Sequence, residues 1–109
     1  MNKNEVEERL IDYAVNIIKL IKYMPTDLAG KTLSNQLIRS GTSPALNYGE
    51  AQSAESKKDF IHKIKIVLKK LRESYVSLKI ILRSELINNR LLDFLLTETN
   101  ELISIFVKV

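Results

Sequence analysis

From Phe60 the apolar residues recur in an unbroken alternation of four and three: Phe60, Ile64, Val67, Leu71, then after Ser74, Leu78 and Ile81. Only an α-helix puts such positions on one side of a chain, because 3.6 residues make a turn. Ile61, Leu68, Tyr75 and Leu82 widen the stripe along one edge. Six turns of uninterrupted stripe need an equally long partner surface, so the segment predicts a bundle helix rather than a surface helix. Ser56-Lys57-Lys58-Asp59 resembles a capping box at its start, with Asp in place of the usual Glu.

Similar stripes precede and follow it. Val6, Leu10, Tyr13, Ala14, Ile17, Ile21 and Met24 mark a first helix, with Asn2 or Asn4 as cap, early glutamates suited to the positive helix end, and Pro25 as its stop. Ile11, Val15 and Ile18 make its apolar face wider than a two-layer packing needs. Thr26-Asp27 opens a second helix carrying Leu28, Leu33, Leu37, Gly41, Ala45 and Tyr48. Ser40-Gly41-Thr42-Ser43-Pro44 interrupts it, and Pro44 lacks an N–H and crowds the carbonyl four residues earlier. The spacing nevertheless continues through the proline. A kinked continuous helix is expected rather than a loop, with Ser or Thr hydroxyls helping to satisfy the freed carbonyl. Asn88-Asn89 supplies a turn and cap for a fourth helix built on Leu92, Leu95, Leu96, Thr99, Leu102, Ile103 and Phe106. Four such helices with short connections predict one all-α domain over residues 1–109, an up-down-up-down four-helix bundle with its second helix kinked near Pro44.

Composition narrows the chemistry. With no Cys there is neither a disulfide scaffold nor a thiolate metal site, and His62, the lone histidine, has no second imidazole to seed a zinc site. His62 falls among polar positions and reads as solvent-facing. No glycine-rich phosphate loop, nucleophile elbow or paired-carboxylate pattern occurs. No catalytic residue, metal, cofactor or small-molecule substrate is therefore expected, and the chain reads as a non-enzyme. The apolar runs are too short to span a bilayer and the N-terminus lacks an apolar signal core, so a cytoplasmic protein without a membrane partner is expected.

Charge is concentrated. Residues 56–83 hold nine basic against two acidic residues, a net of +7, within a chain whose total is +4. Lys57, Lys58, Lys63, Lys65, Lys69, Lys70, Arg72 and Lys79 are the candidate contacts for a phosphate backbone. The competing reading is a solvated outer face that keeps the protein soluble. Ile66, Val76 and Ile80 point away from the core stripe and, with the wide first helix, suggest a subunit interface rimmed by those bases. Arg39, Ser43, Asn47 and Glu50 follow at steps of four, four and three, with Glu73 as their natural partner. They are expected to form a buried polar network that fixes helix register.

The stretch Leu37-Ile38-Arg39-Ser40-Gly41-Thr42-Ser43-Pro44-Ala45-Leu46-Asn47-Tyr48-Gly49-Glu50-Ala51, followed by Glu55-Ser56-Lys57-Lys58-Asp59-Phe60 and by Leu68-Lys69-Lys70-Leu71-Arg72-Glu73-Ser74, is similar to bacterial 23S rRNA intervening-sequence proteins, a four-helix-bundle family. Lys70 departs from an expected acid, and Gly41 and Gly49 stand where alanine is more usual. The resemblance covers essentially the whole chain. It implies a four-helix bundle, commonly a homopentamer, and genes sometimes embedded in 23S rRNA genes. It also implies kinship with accessory proteins of diversity-generating retroelement reverse transcriptases. No catalytic residues come with it; Arg39, Ser43, Asn47, Glu50 and Glu73 match only as signature positions. Two functions are expected from this: a homo-oligomer whose basic surface binds RNA or a ribonucleoprotein, or an oligomeric protein-binding scaffold or accessory subunit without nucleic-acid contact.

Overall fold

A computed structural model describes residues 1–108. Four helices account for most of them: α1 (Lys3–Ile21), α2 (Leu28–Gln52), α3 (Lys57–Arg83) and α4 (Arg90–Val107). Each starts on a side chain that accepts from an otherwise orphaned N–H three residues on. Asn2, not Asn4, caps α1 through the Glu5 N–H at 2.9 Å, and its amide donates back to the Glu5 carboxylate. Asp27, Ser56 and Asn89 cap α2, α3 and α4 in the same way. α1 stops at Ile21, short of Pro25, and Met24 is buried in the connection rather than in the helix. α3 ends in a Schellman motif: Leu86 N–H bonds Ile81 C=O, Glu85 N–H bonds Leu82 C=O, and Glu85 takes a left-handed φ of 57°. The turn thus falls at Ser84-Glu85, before Asn88-Asn89.

α2 is continuous through Pro44, as its spacing predicts. The hydroxyls nearby act differently from expectation. Ser40 Oγ donates to Gln36 C=O and Thr42 Oγ1 to Ile38 C=O, so both bond the preceding turn and neither reaches the carbonyl of Ser40 that Pro44 frees.

Each helix packs on its neighbours in sequence and α4 closes on α1; across the diagonals the backbones stay apart and only side chains meet, as where Tyr48 of α2 packs edge-on against Phe106 of α4 with ring centroids 5.8 Å apart. The result is a square bundle about 44 Å long. Leu10, Ile17, Leu20, Leu37, Val67, Leu71, Leu78, Ile81, Leu92, Leu95 and Leu102 form its dry centre. Each such side chain contributes about 1.5–3 kcal/mol through removal from water. Gly41 lets α1 approach α2: a Cβ there would stand 2.7 Å from Ile17 Cγ1.

Two hydroxyl pairs bridge helices within this core. Ser74 Oγ of α3 donates to Ser40 Oγ of α2 at 3.0 Å, and Ser40 passes its own proton to Gln36 C=O. Thr99 Oγ1 of α4 gives its proton to Leu95 C=O, so the Tyr13 phenol of α1 donates to Thr99 at 2.7 Å. Each hydroxyl has one proton, which fixes both directions. Burial pushes the Tyr13 phenol up to about 12, against the opposing pull of its Thr99 and Ser74 neighbours. The α1–α4 seam also carries a charged clamp, with Arg9 Nε and Nη2 donating to the two oxygens of Glu98 at 2.8 and 2.7 Å. That bond holds the Arg9 guanidinium above its usual pKa.

Candidate nucleic-acid interface

The spacing that buries Ile64, Val67, Leu71 and Leu78 turns a second stripe of α3 outward. Lys65, Lys69, Arg72, Val76, Ile80 and Arg83 succeed one another at steps of three and four along this ridge. Its first half is cationic, and its second half carries Val76, 52% exposed, and Ile80, 46% exposed. The candidate phosphate contacts and the candidate interface thus share one surface.

An open groove of about 870 Å³ runs along it, lined by Lys65, Lys69, Arg72, Val76 and Ile80, by the Lys70–Glu73 pair and, from α2, by Gln36 and Arg39. Arg39 is exposed and belongs to the basic surface, not to a buried network. Its expected partner Glu73 is exposed as well and accepts from Lys70 Nζ at 3.3 Å. Ser43 and Asn47 bond each other within one turn of α2, at 2.8 Å. Glu50 reaches α3 but accepts from Lys63 Nζ at 2.8 Å, a bond that raises the Lys63 pKa. Within one chain these five residues therefore form separate local contacts. Charge explains the departure: a buried Arg39 or Glu50 would lose solvation that a single partner does not restore. The buried register contact between these helices is Ser40–Ser74 instead. Its sequence signal was a serine at core spacing on each helix.

The bases divide by partner. Lys63 and Lys70 are engaged by carboxylates. Lys79 Nζ lies 4.5 Å from the centroid of the Tyr75 ring, a cation–π contact. Lys57, Lys58, Lys65, Lys69 and Arg72 have no ion-pair partner among the described residues, and all five are exposed. Ile66 is only half-buried and falls on the row Lys63, Ile66, Lys70 that flanks α2, so it is less available than Val76 and Ile80. His62 is exposed. No three His, Asp or Glu among the described residues group closely enough to hold a metal ion. No helix among them is long and apolar enough to cross a membrane.

Fold and surface together define an all-α bundle protein with a cationic outer ridge. The model of the 23S rRNA-intervening sequence protein family matches residues 2–108, and the chain belongs to that family. It is similar to a crystallised protein of unknown function from the S23 ribosomal protein family of Bacteroides thetaiotaomicron. The two are 30% identical, superpose with a TM-score of 0.86, and align over 94% of this chain and 95% of the other. No curated protein matches the sequence.

Proposed function

We propose that the protein is a non-enzymatic, homo-oligomeric bundle that holds RNA, free or in a ribonucleoprotein, against the outer ridge of α3. The observation that carries this reading is the convergence of Arg39 from α2 with Lys65, Lys69 and Arg72 from α3 on one open groove. Four guanidinium and ammonium groups there lack carboxylate partners among the described residues. Such groups bind a phosphate backbone by displacing its counterions. The groove presents no row of exposed aromatics for stacking, so recognition rests on backbone shape and charge rather than on base sequence. Family membership supports an RNA setting.

Exposed apolar side chains support the assembly part of this reading. Val76 and Ile80 on α3 and Ile11, Val15 and Ile18 on α1 leave two apolar strips in water on a single chain. Association would cover them and repeat the basic ridge around the particle, multiplying weak phosphate contacts. A pentameric ring is the form we propose. Fluorescence anisotropy with a labelled RNA hairpin tests the binding: saturable binding at low ionic strength is expected, and none at any protein concentration would overturn it.

A further inference from the structure

The α2–α3 groove holds one acid. Arg39, Lys65, Lys69, Lys70 and Arg72 line it, and Glu73 is the single carboxylate beside them. A carboxylate there weakens the hold on any phosphate, so a surface serving charge alone has no use for it. Lys70 Nζ donates to Glu73 Oε2 at 3.3 Å, which neutralises the acid but engages only one of its oxygens. Oε1 has no hydrogen-bond partner among the described residues. A carboxylate only accepts, and so do the oxygens of a phosphodiester. Glu73 can therefore bind only a donor on whatever fills the groove. Ser77, one turn further along α3, lines the same groove. The residue is 8% exposed, and its hydroxyl makes no hydrogen bond among the described residues. No oxygen sealed from solvent lacks a partner there, so Ser77 Oγ opens to solvent, and the groove that Ser77 lines is its outlet. The Ser40–Ser74 bond sets the level of the opposite wall. Gln36, one turn before Ser40 on α2, stands beside the turn of α3 that follows Ser74, and its amide both donates and accepts.

Resting on the RNA reading above, we infer that Glu73, Ser77 and Gln36 form a subsite for the ribose 2′-hydroxyl, so that the groove selects RNA over DNA. The cations hold the phosphates, which both polymers share. The 2′-hydroxyl is the donor that an RNA backbone has and a DNA backbone lacks. A-form RNA displays these hydroxyls across a wide, shallow minor groove, within reach of a protein surface. The free oxygen of Glu73 accepts from the hydroxyl, while Ser77 or Gln36 donates to its oxygen. The acid that weakens phosphate binding thus contributes selectivity.

Anisotropy with two hairpins of one sequence tests this: an RNA, and its 2′-fluoro counterpart, which keeps the A-form but has no donor at that position. Wild type is expected to bind the RNA about fivefold more tightly, as a part-exposed hydrogen bond to a charged group gives. E73A is expected to bring the two affinities within about twofold of each other. Its binding of the 2′-fluoro hairpin should tighten, because an acid has left the groove. S77A is expected to narrow the gap in the same direction but less. Far-UV circular dichroism reads folding; if E73A does not fold, S77A decides, and a gap that it leaves unchanged overturns the subsite. Equal affinities of wild type for the two hairpins overturn the subsite and leave the RNA reading standing. An E73A that tightens both hairpins by the same factor does so too, since Glu73 would then act through its charge alone. Binding of neither hairpin removes both.

Discussion

Gly41 and Gly49 lie two turns apart on α2 and have opposite consequences. A methyl group at Gly41 meets Ile17 at 2.7 Å, whereas nothing lies within 4 Å of the same group at Gly49. G49A is expected to stabilise the protein by about 0.5–1 kcal/mol, since the helix gains propensity at no steric cost. G41A is expected to destabilise it, because α1 must move away. Chemical denaturation of the two variants reads both signs. At Glu85 the left-handed backbone favours glycine, so E85G should add up to about 1 kcal/mol. Tyr13 gives a pH signature. Its phenol is raised by burial to about 12, so the unfolded chain loses this proton first. Stability from this group is complete below about pH 10 and falls by about 1.4 kcal/mol per pH unit above it. The difference between wild type and Y13F in denaturant midpoint should therefore change between pH 9 and 12. The hydroxyl pairs were half legible: Ser74 and Thr99 stood at core positions, but only packing shows which hydroxyl each would meet. Arg39 and Glu50 misled because equal spacing places residues on one face without saying whether another helix covers it.

At the scale of the helices, periodicity specified nearly everything local. The stripes located all four helices, and Asp27, Ser56 and Asn89 capped where their sequence positions indicated. Pro44 sits within α2 because the apolar spacing on both sides keeps one buried face, and Pro44 itself is buried there. Tertiary packing outweighs the local cost of a helical proline. What periodicity does not encode is the partner. The α1–α4 seam depends on the Arg9–Glu98 clamp, which joins residues 89 positions apart. Glu98 is mostly buried there, with 13% of its side chain exposed. Replacing it by Ala should cost about 1–3 kcal/mol, more than a surface ion pair, because Arg9 loses both of its short bonds. Thermal unfolding of E98A measures this, and an unchanged midpoint would mean that the Tyr13–Thr99 bond and the apolar contacts close the seam without the clamp.

Over the whole molecule, the excess of +7 in residues 56–83 becomes an oriented surface only after folding. Two of its lysines are engaged by carboxylates of α2 and α3, one lies over Tyr75, and Arg39 joins from the neighbouring helix. Helical spacing already placed the apolar and basic outward residues of α3 beside one another, but not that Arg39 of α2 faces the same groove. The RNA reading can be tested on that ridge directly, by measuring RNA affinity against salt for wild type and for K65Q with K69Q. The plot of log affinity against log salt should be steep for wild type and shallower by about two units for the variant, one for each phosphate that is no longer neutralised. A slope that the two substitutions leave unchanged would contradict RNA binding on this ridge.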